Sequence, residues 1–415
     1  MIMFNKKLAA IFAVVFIDFL GFSFILPLYP DIAERFGISA TSIALLASSY
    51  ALMQFLFSPI FGRLSDRFGR RPILLLSSLG SAVSFALFGW AGSVGLLFFS
   101  RMLSGLAGSS VAMAQAYIAD VTGQEERTKG MGLLGAALGL GLILGPALSA
   151  FLGRFGLGAP AYGAAALSLI NFIVIVFALK ESLEKKLRLR HFFSSGAALA
   201  EVKSYSWSER LNLKPLMEVL KHPLMSALLI NYFLAMLGIS IMQNVAGLFA
   251  DQRFHLTLSE TGYFFAYIGL IMIAVQGVMV GRLAKFSGET IIIVLGLILA
   301  TLGYFLIPTS RMIWTIIATA GVAAAGVGLY IPSVNSLISK NSSVKEQGEI
   351  FGVAQSLVGL ALIFGPVMGG FLYDNLGSGS PFFAAGLITL ASLFFALKGF
   401  KKMRRLEKSS FLRHN

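Results

Sequence analysis

Apolar residues in this chain come in long unbroken runs rather than in the one-face or alternating patterns of a water-soluble fold. Twelve runs lie at 8–29, 43–61, 73–91, 94–119, 130–152, 160–179, 224–249, 260–281, 290–308, 312–338, 348–372 and 380–399. Each is long enough for a helix of about 20 residues to cross the ~30 Å hydrocarbon core of a bilayer. A polar stretch at 180–223 divides them six and six. The pattern predicts an all-α membrane protein, because a helix satisfies its backbone N–H and C=O groups internally at bilayer depth. The first run is too long for the apolar region of a signal peptide and carries no A-x-A-like cleavage site, so it reads as a span.

Charge adds orientation. With both termini cytoplasmic, 28 of the 33 Lys and Arg residues fall in inside segments and four, Arg35, Arg154, Arg253 and Arg311, fall outside. Arg101 remains, deep inside a span. The net charge of +14 then follows from topology and from affinity for anionic lipid, and nucleic-acid binding is not expected. A composition of 57% hydrophobic and 13% charged residues leaves too little charge to cover a soluble surface. The absence of cysteine excludes disulfides and thiolate metal sites, and His191, His222, His255 and His414 are too scattered to bind a metal. No Walker-type phosphate loop and no nucleophile–base set stands out, so an enzyme is not expected and no cofactor is called for.

The two halves repeat. Gly132-x8-Gly141-x3-Gly145-Pro146 in the fifth run matches Gly352-x8-Ala361-x3-Gly365-Pro366 in the eleventh, 220 residues later. At the same offset, Gly105, Gly108 and Gln115 match Ala325, Gly328 and Asn335, and Gly62-Arg63-Leu64 matches Gly281-Arg282-Leu283 at 219. Three matches at nearly one offset predict two pseudo-symmetric six-helix bundles, residues 1–179 and 224–415, the second with a short basic tail. The 180–223 segment, with nine basic and five acidic residues, is expected to be a cytoplasmic tether. Its end, from Leu213 to Leu224, has the pattern of an interfacial amphipathic helix. Parallel halves of this kind place a binding site at mid-membrane between them.

The most specific string is Gly62-Arg63-Leu64-Ser65-Asp66-Arg67-Phe68-Gly69-Arg70-Arg71-Pro72, between the second and third spans. Gly62 and Gly69 permit a tight turn and close helix approach. Asp66 can take the start of the third span and nearby arginines, among them Arg67, Arg70 and Arg71, which would make a charged cytoplasmic latch rather than a merely solvated loop. Asp18 lies halfway along the first span, where a carboxylate costs ~2.5–3.5 kcal/mol on insertion scales. Burial disfavours its charged form, which suits reversible protonation or a substrate cation; the alternative is a structural acid that packs spans together. Arg101 shares a helix face with Gly105, Gly108, Ala112 and Gln115, whose small members let a neighbouring backbone approach.

Tyr50, Gln54, Gln115, Gln243, Asn244, Asn335 and Gln355 lie deep in spans. They read either as a substrate wall or as hydrogen bonds between helices. With 37 Phe and 15 Met residues and no mid-membrane acid in the spans of the second half, the expected pocket is largely apolar and adaptable, which disfavours a sugar. Gly141, Gly145, Pro146, Gly365 and Pro366 are hinges or close-packing points.

These motifs resemble those of the major facilitator superfamily over nearly the whole chain. Arg101-x3-Gly105-x2-Gly108 is similar to its fourth-span motif, and Gly132-x8-Gly141-x3-Gly145-Pro146 to the fifth-span motif of 12-span drug/proton antiporters. Tyr50-Ala-Leu-Met-Gln54 and Arg101-Met-Leu-Ser-Gly105 are similar to the tetracycline exporters. The resemblance implies the twelve-helix facilitator fold, Asp18 and Arg101 as the proton-coupling pair, and Asp120 joined to the latch through Arg70. It implies a monomer in the bacterial cytoplasmic membrane that uses the proton gradient to export an amphipathic or hydrophobic small molecule. Two departures bear on substrate. The fifth-span motif ends in Ser149-Ala150 rather than a glycine pair, although Gly369-Gly370 stand in the eleventh. Ser84 and Ala300-Thr301 occupy places where those exporters carry acids, which argues against tetracycline. A proton symporter or facilitator of a metabolite, or an exporter of a lipid-like molecule, fits the same fold.

Overall fold

A computed structural model describes residues 6–108, 110–122, 124–182, 223–342 and 347–414, with side chains beyond Phe400 left out. It is an all-α, multi-spanning integral membrane protein. The helices are α1 (Lys6–Ser23), α2 (Tyr29–Phe36), α3 (Ala40–Phe68), α4 (Arg70–Trp90), α5 (Val94–Ala107), α6 (Ser110–Val121), α7 (Gln124–Gly153) and α8 (Ala159–Ala178). They continue as α9 (Pro223–Phe254), α10 (Leu258–Ala274), α11 (Gly281–Leu306), α12 (Ile313–Lys340), α13 (Gln347–Leu376) and α14 (Ser380–His414). The 180–223 tether falls almost wholly outside the described residues. Among the described residues, eleven helical runs are long and apolar enough to cross a membrane.

Local chemistry marks several ends. Ser93 caps α5 by accepting from the Leu96 N–H at 3.3 Å. Thr257 and Glu260 form a reciprocal capping box at the start of α10, with bonds of 2.9 and 3.3 Å. Two expected spans are not straight rods. The first ends its α-helix at Ser23 and continues through a 3₁₀ turn, Leu26–Leu28, into α2. The fourth is split into α5 and α6. The eighth and ninth run together through a π segment, Val275–Val280, and their break is Gly288, at φ 72°.

The chain forms two compact units. One contains residues 1–38, 49–211 and 256–266; the other contains 39–48, 212–255 and 267–415. In the first, α1 packs on α7 and α8, and α4 on α5 and α8. Its core gathers Ile11, Val14, Val15, Leu74, Met113, Tyr117 and Ile175. In the second, α9 packs on α13 and α14, and α11 on α12 and α14. Leu229, Tyr232, Ile293, Tyr330, Val334 and Ala354 lie at its centre.

The outward faces are apolar. Phe177 is 85% exposed, Phe286 90% and Trp314 76%. That is a surface suited to lipid rather than water. The inward faces are small. A Cβ at Gly326 would stand 2.3 Å from the Ala300 nitrogen, and one at Gly303 would stand 2.6 Å from Ala323. In lipid, where apolar burial gives little drive between helices, such backbone-to-backbone packing holds spans together.

Candidate functional site

Two intramembrane charges lie in the first unit, and both depend on a break in the fourth span. α5 closes at Ala107, where the Gly108 N–H turns back to the Gly105 carbonyl, and α6 starts afresh at Ser110. The Gly108 carbonyl accepts a hydrogen bond from Gln54 Nε2 at 2.5 Å, and the same nitrogen lies 3.2 Å from the Tyr50 hydroxyl. Gly105 and Gly108 lie directly against Tyr50, where a Cβ would come within 2.2 Å and 2.7 Å of its atoms. The one-turn pair on α3 therefore stitches the break in its neighbour.

Asp18, half-buried on α1, accepts a hydrogen bond from the Ser110 hydroxyl. Arg101, buried on α5, holds its guanidinium 4.7 Å from the centre of the Tyr50 ring and 5.9 Å from that of Phe22. Tyr29 faces it as well. Its Nε and Nη1 have no hydrogen-bond partner among the described residues. Asp18 and Arg101 do not pair with each other: Asp18 is held by Ser110, and Arg101 is held by Tyr29 and the rings of Tyr50 and Phe22. Ser110 and Tyr29 were not legible as site residues: a serine at a helix break and a tyrosine at the very end of the first span carry no motif.

The other deep polar residues are spread out. Gln115 on α6 is half-buried, as are Gln243 on α9 and Asn335 on α12. Asn244 is buried and reaches the Ser240 carbonyl at 3.5 Å, whereas Gln355 is exposed. A tighter polar cluster in the second unit escaped the sequence reading. Asn231 Nδ2 donates to the Ser392 carbonyl and hydroxyl at 2.8 and 2.7 Å, and the Tyr330 hydroxyl donates to Asn231 Oδ1 at 2.7 Å. Its members satisfy one another, as an interhelical weld does. Ser84, Ala300 and Thr301, at the places of the missing acids, are buried in helix packing.

At the turn between α3 and α4, Arg70 is the hub. Its Nη1 meets Asp66 Oδ1 at 2.5 Å and Ser65 Oγ at 2.6 Å, and its Nε meets Asp120 Oδ2 at 3.1 Å. Asp120 also accepts from the Ser182 hydroxyl at 2.9 Å. Arg71 reaches away to the Ile175 and Val176 carbonyls at the end of α8, and Arg67 lies over the Phe68 ring. Glu181, not singled out by sequence, caps α4 by accepting from the Arg70 and Arg71 N–H groups at 2.9 and 3.3 Å. One expectation is corrected. Gly62 lies inside α3 with open space where a Cβ would go; the turn belongs to Gly69 alone. Gly69 has φ 106°, and a Cβ there would stand 2.2 Å from Glu181 Oε2.

The same turn recurs in the second unit with its charges exchanged. Gly288 corresponds to Gly69 at an offset of 219, Glu289 to Arg70 at 219, and Lys340 to Asp120 at 220. Lys340 Nζ donates to Glu289 Oε1, which Ser336 also approaches at 3.3 Å. The repeat offset found in the sequence would have located this pair had opposite signs been allowed. Asp374, likewise missed, caps α3 through the Ala40 and Thr41 N–H groups at 3.1 and 2.8 Å and the Thr41 hydroxyl at 2.5 Å.

The glycine–proline stretches are packing points here. A Cβ at Gly145 would fall 1.7 Å from Ser23 Oγ, and one at Gly365 would fall 2.7 Å from Ser240 Cβ. Ser23 donates to the Gly141 carbonyl at 2.8 Å. α7 and α13 stay helical through Pro146 and Pro366.

No group of three His, Asp or Glu side chains able to hold a metal occurs among the described residues. The sequence model of the Major Facilitator Superfamily matches residues 11–342 and 278–411. The chain is 32% identical to the class E tetracycline resistance protein of Escherichia coli, over 89% of this chain and 88% of that one. It is 30% identical to multidrug resistance protein 2 of Bacillus subtilis (strain 168), over 91% of each. Among solved structures, the human organic anion transporter MFSD10 (TETRAN) superposes with a TM-score of 0.71 at 23% identity, over 94% of this chain and 99% of that one. The nucleoside transporter NupG (D323A mutant) does so with 0.75 at 12% identity, over 95% and 100%.

Proposed function

Because this chain belongs to the major facilitator superfamily, we propose that it is a proton-coupled antiporter that exports amphipathic or hydrophobic small molecules. It is a secondary transporter of small molecules embedded in lipid, and not an enzyme. The reading adopts twelve spans, counting α10 and α11 separately across Gly288, in two six-helix halves at 1–179 and 224–415 with both termini in the cytoplasm of a bacterial cell. The observation that carries it is the Asp18–Ser110 hydrogen bond beside an Arg101 that has no acidic partner among the described residues.

A protonated Asp18 is neutral and leaves the site to Arg101 and the aromatic rings of Phe22 and Tyr50. A deprotonated Asp18 offers a charge that a substrate or Arg101 can meet. Proton and substrate then compete for one polar point, and competition between two ligands is what couples them in opposite directions. The apolar walls supply area without fixed geometry, as a site for varied hydrophobic compounds needs. Two relatives above are named for resistance to tetracycline and to multiple drugs; the buried Ser84 and Thr301 favour the broader, non-tetracycline class for this chain.

Proteoliposomes under an imposed pH gradient test the reading with ethidium, Nile red and tetracycline as a cationic, a neutral and a named probe. Ethidium or Nile red should move outward against inward proton flux, and Asp18→Asn should abolish gradient dependence while leaving the protein folded. Undiminished coupling in that variant overturns the assignment. Proton flux in the same direction as substrate makes the chain a symporter.

A further inference from the structure

The fourth span is interrupted at Gly108, where α5 closes, close to the acid of the first span. Gln54 satisfies the Gly108 carbonyl at 2.5 Å, so the break is held from α3. Ser110, the first residue of α6, is buried and its hydroxyl donates to Asp18 Oδ2. We propose that Ser110 is the positioning residue of Asp18: its hydroxyl holds the carboxyl group in one orientation, and thereby tunes the pH at which the protein exchanges its proton. The proposal rests on the reading of Asp18 as the proton site.

A hydroxyl donor is worth more to an ionised carboxylate than to a neutral carboxyl, because only the ion offers full charge to the O–H dipole. The other groups near Asp18 do not replace this contact. α1 packs against α6, α7 and α8. α6 carries Tyr117 and Asp120 towards its far end; α7 has no titratable side chain from 132 to 153; α8 has only Tyr162. Arg101 on α5, Tyr50 on α3 and Tyr29 on α2 complete the set, and none of them hydrogen-bonds Asp18. Among the described residues, the Ser110 hydroxyl is therefore the side-chain bond that distinguishes the charged from the neutral acid.

The test uses the full chain in proteoliposomes and two readouts. Infrared titration follows the protonated carboxyl band assigned to Asp18 by its loss in Asp18→Asn. Ethidium efflux under a fixed pH gradient is measured across pH. Ser110→Ala should move both midpoints to higher pH by about one to two units, the span of a hydrogen bond to a charged acceptor. Ser110→Thr, which keeps the hydroxyl, should restore the native midpoint, and Ser110→Ala should have no further effect on an Asp18→Asn background. An alanine profile that superimposes on the native one, or a threonine variant that shifts as alanine does, overturns the role of Ser110. If Asp18→Asn itself leaves coupling intact, the proton-site reading falls first, and the two failures are told apart.

Discussion

Replacing Arg70 by Gln removes the hub of the turn between α3 and α4 while keeping much of its length. The size of the effect can be worked from exposure. The Arg70 side chain is 10% exposed, Asp120 31% and Asp66 62%. Breaking a fully buried pair costs 3–5 kcal/mol, and an exposed pair is worth about 0–1 kcal/mol. A buried cation with partly solvated acids falls between, at about 2 kcal/mol, most of it from the Asp120 side. If the network is intact in only one of two access states, that energy changes their ratio by about 30-fold. The chain has no cysteine, so a single Val121→Cys at the end of α6 is a clean reporter. Its reaction with a membrane-impermeant maleimide in inside-out vesicles should change rate by about tenfold or more in Arg70→Gln. Asp120→Asn should follow closely, and Asp66→Asn should change the rate by less than about fivefold, since an exposed pair is weak. Equal labelling rates in all four proteins, with altered thermal stability only, would show that the network is a static brace and refute the latch.

Two further outcomes follow from contacts outside that hub. Glu289→Lys should lower the thermal midpoint of the purified protein by placing two ammonium groups together, and Glu289→Lys/Lys340→Glu should regain at least half of the loss; a double variant as weak as the single one would deny the exchanged-charge pairing. Gly145→Ala should cost about 1–3 kcal/mol through overpacking against Ser23, and Ser23→Ala should return only part of it, because the Leu20 carbonyl still lies 2.9 Å from the new Cβ. Strictly additive losses in unfolding experiments would refute that contact.

The spans were legible because membrane crossing is a matter of length and hydropathy, which a sequence displays directly. Interruptions inside spans were not. Ala107-Gly108-Ser109-Ser110 is as compatible with a helix as any small-residue stretch, and what stabilises the break is the Gln54 amide, more than fifty positions away. Gly62 and Gly69 look alike in the string that carries them. They differ only in what surrounds them, since Glu181 and a positive φ occupy one and open space the other. The polar segment at 282–289 divides spans eight and nine in the sequence, but its backbone stays helical and departs from helix at Gly288. Asp18, Arg101, Tyr50 and Gln54 could be picked out because polar groups are costly at bilayer depth; Ser110 is small and common enough to pass as packing.

The internal repeat separates what each half must share from what only one half does. At the ends of the spans the interaction recurs although the residues do not: a glycine with positive φ precedes Arg70 in the first unit and Glu289 in the second, and an ion pair ties each to the end of a later helix, Arg70–Asp120 on α6 and Glu289–Lys340 on α12. Exchange of both signs leaves the attraction unchanged, so the geometry of the turn and not the charge of either residue is what the repeat preserves. At mid-membrane the opposite holds. Arg101 lies over the Tyr50 ring. Its counterpart at an offset of 220 is Gly321, and the space is filled by Tyr267, whose hydroxyl would stand 2.4 Å from a Cβ on that glycine. An arginine there would have no room, and no acid stands at the place of Asp18. A tyrosine thus seats a buried cation in the first unit and packs on a glycine in the second, so the two units differ at mid-membrane where they agree at the ends of their helices.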